Sequence, residues 1–363
     1  MNILLVTKTR TEIVLAHKPK NIEDYLKNDG FFSGWRQGFL DAGCKVHLFV
    51  DNSFCLPASL AYRSVTLYRA LRLLFKKMRF FALDNYWLNR RLAKIIKSHN
   101  IDMILTETND FMQPHVLRQL VGRPIKCIQW FGVYPEMVNM VTKRLFSQYD
   151  YILTPCDLGG ALLPYVNQEQ ILFVPVAYAP HIYYPNRDIN YAYDIVFIGS
   201  IGSAHKNRIA FLEVLAEHYQ SIAFWGSGFN ALPSNSILRS RYKGYASSEI
   251  IRAAYSSAKI ALNLTLDNYH RVKRGINERT VAIPACCGAL QLVIRVDGVK
   301  EFFIEDEEIA CFADMPELLK KIDFYLHNEE KRENMVEKAY RKNLGNMYQQ
   351  RAKYLLATLY QEH

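Results

Sequence analysis

The chain has 363 residues, half of them apolar and 13% aromatic, and a formal charge of +10. That is apolar enough for two separate cores and excludes a disordered chain. Seven cysteines with neither CxxC pairs nor Cys/His spacing argue against a disulfide scaffold or zinc module, and reduced thiols in a cytoplasmic protein are expected. The apolar run after Met1 has strand length and no run approaches about 20 apolar residues, so neither a signal peptide nor a spanning helix is expected.

Residues 1–7, M-N-I-L-L-V-T, read as a buried strand. A polar loop over 8–30 follows, long enough to be functional. Ser33 offers an N-cap to a helix over 34–42 that Gly43 stops, and 45–50 is the next strand. Between Arg63 and Lys97 stand ten Lys or Arg against one acid, Asp84, interleaved with aromatics such as Tyr86 and Trp87. This basic, aromatic, helical stretch suits contact with an anionic membrane face, which would place the protein peripherally at the inner surface. A solvated helix packing its apolar stripe on the sheet is the plainer alternative. No recognised nucleic-acid module accompanies the charge, so no nucleic-acid partner is expected. Further strands read at 101–106, 125–131 and 151–154, and residues 174–176 and the proline-marked 179–185 read as a linker.

The second half repeats the pattern. Y-D-I-V-F-I-G-S-I-G-S-A-H-K-N-R, residues 193–208, reads as a buried strand, a Gly/Ser turn and a helix start. Backbone amides at Gly199, Ser200 and Gly202, with Lys206 and Arg208 beside them, form a candidate phosphate site. Strands at 223–225, 260–264 and 289–294 alternate with helices at 247–257, 277–286, 318–327, 329–341 and 347–359. The turn K-G-Y, 243–245, follows a further short strand. Strand and helix alternating throughout imply parallel sheets with right-handed crossovers. The expected class is α/β: two Rossmann-like doubly wound domains, 1–180 and 181–345, facing across a cleft, then a C-terminal helix, 346–363, that could return to the first domain.

The stretches C-I-Q-W-F-G-V-Y-P-E (127–136), Y-D-Y-I-L-T-P (149–155), D-I-V-F-I-G-S with Arg208, K-I-A-L-N (259–263), N-E-R-T-V-A-I-P-A-C-C-G (277–288) and N-M-Y-Q-Q-R (346–351) carry a resemblance. In these the chain resembles the CgeB-like family of spore-associated and related glycosyltransferases, which have the two-domain GT-B fold. The resemblance implies a metal-independent transferase moving a sugar from a nucleotide-diphosphate-sugar, of UDP or GDP type, to a hydroxyl of a glycan or lipid-linked saccharide, with no other cofactor. It implies that Gly199, Ser200, Gly202, Lys206 and Arg208 approach the donor diphosphate and that Gly244 and Tyr245 lie along the base. Asn263, Asn277, Arg279 and Thr280 would line the donor pocket. Lys273, in the cationic loop with His270, Arg271 and Arg274, would share the diphosphate charge.

The chain also departs from the family. Its block reads R-T-V-A where members read R-T-F-E, so Ala282 stands at the position of the ribose-binding glutamate, and Asn346 replaces a histidine. For the reaction itself the candidates are Glu107 and Asp110, in T-E-T-N-D after a strand, and His17 in the first long loop; His115 lies behind, and Lys8, Arg10 and the Asp29–Gly30 turn could meet the acceptor. Two rivals stay open: a nucleotide-sugar epimerase of the same fold, and a retired transferase kept as a scaffold or coat protein.

Overall fold

The computed structural model describes residues 1–8, 22–51, 64, 66–67, 70–71, 81–107, 112–132, 140–157, 160–186, 193–202, 207–264 and 275–360. The chain forms two compact units, residues 1–175 with 348–363, and residues 176–347.

Unit 1 is a six-stranded parallel sheet in the order β2-β1-β3-β4-β5-β6. The strands are β1 (Asn2–Lys8), β2 (Lys45–Asp51), β3 (Met103–Glu107), β4 (Lys126–Trp130), β5 (Tyr151–Thr154) and β6 (Ile171–Phe173). Ile3, Leu4, Leu5 and Val6 are all fully buried, as in a strand covered on both faces. The helices described are α1 (Ile22–Leu26), α2 (Gly30–Asp41), α3 (Phe81–Ser98), α4 (Pro114–Val121) and α5 (Met140–Leu145). The start of α2 differs from expectation. Asp29 is its N-cap, accepting the Phe32 N–H at 3.1 Å, and Ser33 lies inside the helix, buried. A carboxylate at a helix start satisfies a free amide and meets the helix dipole favourably, so the earlier cap extends the helix.

Two glycines of α2 explain where the chain's last helix goes. A Cβ at Gly34 would overlap the Tyr348 ring, and one at Gly38 would sit 2.7 Å from the Tyr348 carbonyl oxygen. Only bare backbone lets the C-terminal helix, Tyr348–Tyr360, approach so closely. Lys126 adds a second tie, donating to the Leu359 carbonyl at 2.8 Å beneath the Tyr360 ring. The last helix therefore completes unit 1.

Unit 2 is a five-stranded parallel sheet, β11-β10-β9-β7-β8. Its strands are β7 (Ile195–Ile198), β8 (Ile222–Trp225), β9 (Ile260–Asn263), β10 (Leu290–Ile294) and β11 (Ala310–Phe312). Between them run α6 (Asn207–His218), α7 (Ile237–Arg241), α8 (Ser248–Ser257) and α9 (Arg279–Ala285), and after them α10 (Met315–His327) and α11 (Glu329–Asn343). Two details depart from the sequence reading. No strand precedes K-G-Y: α7 does, and Tyr242 makes only an isolated bridge to Phe224. The edge strands β6 and β11 were not foreseen, because three residues show no period.

Strand order places the sites. In unit 1 the chain runs from β1 outward to β2, then crosses to β3 on the other side of β1; in unit 2 it runs from β7 to β8, then crosses to β9. Each reversal opens a crevice at the carboxyl ends, between β1 and β3 and between β7 and β9, where open α/β sheets bind ligands. Among the described residues the six cysteines are free. Burial pushes the Cys127 thiol up to about 12 and Cys156 to about 11, so both are protonated packing groups.

Candidate functional site

The unit 2 crevice is built from the ends of β7 and β9 and the start of α9. Arg279, the first residue of α9, spans it. One guanidinium nitrogen donates to the Ile198 carbonyl at the end of β7 (3.1 Å) and the other to the Leu264 carbonyl just past β9 (3.0 Å). Its guanidinium lies 5.8 Å from the centre of the Phe197 ring. Arg208, in the first turn of α6, lies 5.9 Å from the same ring and donates to the Ser200 carbonyl at 2.7 Å. Arg208 is only 5% exposed. A guanidinium at a helix start opposes the helix dipole, and its burial is costly. Two such cations converging on one ring make a crevice suited to an anion, with a cation–π floor that tolerates both.

What aims Arg279 is an uncharged network behind it. Asn263, the last residue of β9, is fully buried, as are Thr280 and Gln291. Asn263 Nδ2 shares its hydrogens among Gln291 Oε1 (2.7 Å), Thr280 Oγ1 (3.0 Å) and Asn277 Oδ1 (3.1 Å), while Asn277 Nδ2 donates to Asn263 Oδ1 at 2.8 Å. The Asn277 side chain also accepts the Thr280 N–H at 3.1 Å, and Gln291 donates to the Thr280 carbonyl at 3.1 Å. These bonds weld the turn before α9 to the ends of β9 and β10. Asn263 and Thr280 thus act on the site by holding Arg279, since their polar atoms are occupied by one another.

The glycine loop works differently from the expected amide cradle. The N–H groups of Gly199 and Ile201 donate to the carbonyls of Trp225 (2.9 Å) and Ser227 (3.0 Å), and that of Gly202 to Ser200 Oγ at 3.2 Å. The loop after β7 is pinned onto the Gly226–Gly228 turn after β8, so these amides are spent within the protein. Gly199 serves instead by lacking a side chain: a Cβ there would lie 2.7 Å from Arg279 Nη1 and 2.9 Å from Phe197 Cζ. Gly226 is equally constrained. Its φ is +132° and a Cβ would overlap the Gly199 carbonyl. Gly244, with φ +106°, gives its carbonyl to the Gly226 N–H at 3.0 Å, which stacks the K-G-Y turn on the same loops, and Tyr245 is exposed beside it.

Gly199, Ser200, Arg208, Asn263, Asn277, Arg279 and Thr280 are therefore brought together at the β7/β9 crevice, and Gly202, Gly244 and Tyr245 lie toward β8. Lys206 and Lys273 fall outside the described residues, as do His270, Arg271 and Arg274. Ala282 is buried in α9, its N–H donating to the Glu278 carbonyl at 2.9 Å. In unit 1, Glu107 closes β3 beside the β1/β3 crevice and Lys8 closes β1; Asp110, His17 and Arg10 lie outside the described residues. His115 sits exposed on α4, against Gln119. Phe197, Gln291 and Ser227 were not singled out from the sequence. Phe197 had one available signal, an aromatic two residues before a strand-ending glycine. Among the described residues no group of three His, Cys, Asp or Glu could hold a metal.

Residues 208–357 match the family model described as "Glycosyl transferase-like". No curated protein matches the sequence. Solved structures match nearly end to end. A sucrose-phosphate synthase from Thermosynechococcus elongatus superposes with a TM-score of 0.66 at 12% identity, covering 99% of this chain and 98% of that one. HepE from Anabaena, in complex with UDP and glucose, gives 0.63 at 11%, covering all of both chains. An α-glucosyltransferase in complex with UDP-glucose and DNA gives 0.64 at 12%, again covering all of both. At such identities the likeness is one of fold. The chain has the two-domain α/β fold of the GT-B glycosyltransferases, and its second half carries the glycosyl transferase-like sequence pattern.

Proposed function

We propose that this protein is a metal-independent glycosyltransferase that moves a sugar from a nucleoside diphosphate to a hydroxyl of a glycan or lipid-linked saccharide. The observation that carries the reading is the convergence of Arg208 and Arg279 on Phe197 at the switch crevice of unit 2. As the glycosidic bond to the β-phosphate oxygen breaks, negative charge collects on the leaving diphosphate. Guanidinium groups already fixed at that point stabilise it without reorganising. Lys206 and Lys273 add charge, Ser200 contacts the donor, and Gly244 and Tyr245 lie along the base. The acceptor meets unit 1, and one of Glu107, Asp110 and His17 takes its proton in an inverting path; in a retaining path the donor phosphate does so. The narrower kinship with the CgeB-like group rests on the motifs of the second half. UDP is the first donor base to try, because structures of HepE and of the α-glucosyltransferase hold UDP-glucose.

Titration calorimetry of the full chain with UDP, GDP and their glucose conjugates tests the reading. Binding of one nucleoside diphosphate is expected, and Arg279→Ala should weaken it roughly 10- to 100-fold, the worth of about 1.5–3 kcal/mol for a charge-assisted bond. Absence of heat with every nucleotide would overturn it and favour a scaffold. Conversion of a nucleotide-sugar without an acceptor would favour an epimerase.

A further inference from the structure

Helix α3 presents a surface that sugar transfer does not use. With about 100° between successive residues, Tyr86, Lys97, Arg90, Lys94, Trp87 and Arg91 fall in that order within an arc of about 140°. Leu88, Leu92 and Ile96, all fully buried, lie on the opposite side. Tyr86 is 43% exposed and Trp87 51%, and the four basic residues are exposed as well. The Arg90 guanidinium lies 5.3 Å from the Tyr86 ring centre and 5.9 Å from that of Trp87, so the aromatics stand at the foot of the cationic stripe. No acid occurs from Tyr86 to Ser98, and no described carboxylate pairs with Arg90, Lys94 or Lys97. The buried side is anchored: Asn89 Oδ1 accepts the Gln113 N–H at 2.9 Å at the edge of α4. Among the described residues no helix is long and apolar enough to cross a membrane.

We infer that this face of α3 docks on an anionic lipid bilayer, with Tyr86 and Trp87 at the headgroup boundary and Arg90, Lys94 and Lys97 on the lipid phosphates. An indole and a phenol beside long basic side chains match the layering of a bilayer surface, apolar below and anionic above. A nucleic-acid backbone would satisfy the cations but offers no apolar layer for two adjacent exposed aromatics on a convex helix. The inference does not depend on the transferase reading.

The test is flotation of the full chain with vesicles of phosphatidylcholine alone or with 30% phosphatidylglycerol. Binding is expected only to the anionic vesicles, falling as salt rises. Lys94→Ala and Arg90→Ala should each weaken it about fivefold, the equivalent of about 1 kcal/mol per basic residue. Trp87→Ser should weaken it while leaving the salt dependence intact, and brominated lipid should quench Trp87. These side chains are exposed, so unchanged melting temperatures confirm that each variant is folded. Lys300→Glu in unit 2, whose side chain is 69% exposed, should change nothing. Equal loss with Lys300→Glu, equal binding to neutral vesicles, or a preference for a 20-mer duplex over the anionic vesicles would each overturn the inference.

Discussion

Replacing Gly199 by alanine displaces Arg279 without removing it. The added methyl would stand 2.7 Å from Arg279 Nη1 and 2.9 Å from Phe197 Cζ. Ordinary contact begins near 3.5 Å, so the guanidinium must retreat by about 0.8 Å. Its bonds to the Ile198 and Leu264 carbonyls, 3.1 and 3.0 Å long, then stretch past useful length. Each is a charge-assisted bond worth at most about 1.5–3 kcal/mol, and a half-buried guanidinium recovers part of that from water. The expected loss is about 2–3 kcal/mol, roughly 4–10 °C in the melting of unit 2. The UDP affinity expected from the proposed function should fall about tenfold or more, because the cation no longer sits over the crevice. Calorimetry and thermal denaturation of the wild type, Gly199→Ala and Arg279→Lys separate the two effects, since a lysine keeps the charge but cannot bridge two carbonyls. A melting loss with unchanged UDP affinity would refute the reasoning and leave Arg279 as a clamp between strand ends.

Two further outcomes concern the hydrogen bonds of unit 2. Asn263→Ala strips the shared donor from Gln291, Thr280 and Asn277 and should cost about 2–4 kcal/mol in thermal unfolding, at about 1–3 kcal/mol per buried orphan; a loss under about 1 kcal/mol would mean that the network does not hold α9. Hydrogen bonding to Arg295 draws the Glu317 carboxyl down from its ordinary 4.5 to about 2, so the folded state holds fewer protons than the unfolded one. That stability is fully present above pH 4.5 and is lost as pH falls toward 2, and Glu317→Gln should flatten this acid limb in a pH series of denaturant melts.

The central strands were legible because a parallel strand covered on both faces is one unbroken apolar run, as in I-V-F-I of β7. The start of α2 was not: Asp29 and Ser33 are both good caps, and choosing between them requires knowing where the chain enters the helix. The crevice was legible in its residues and not in its mechanics. Gly199 and Gly202 looked like amide donors to a phosphate, but the Gly199 amide, like that of Ile201, faces the end of β8 and the turn after it, some 25 residues later in sequence, and the Gly202 amide is taken by Ser200 Oγ. A local motif cannot reveal that a second loop lies beneath it. For the same reason Asn263 and Thr280 read as ligand contacts from sequence, while their hydrogen bonds run to each other, to Asn277 before α9 and to Gln291 of β10.

The division of labour in unit 2 follows from the cost of burial. A buried guanidinium is held cheaply only by groups that cannot move, and a fully satisfied amide network is more rigid than the same volume of aliphatic packing. Asn263, Asn277, Thr280 and Gln291 supply that rigidity one layer behind Arg279, where nothing needs to touch a ligand. Unit 1 has the same strand reversal with a different ending: its crevice between β1 and β3 closes on the carboxylate-bearing Glu107 in place of a guanidinium. Two copies of one topology, one ending in fixed cations and the other carrying a carboxylate at the end of β3, have the asymmetry that the proposed transfer would use in an inverting path. In that path one crevice would hold the leaving anion and the other would accept the acceptor's proton.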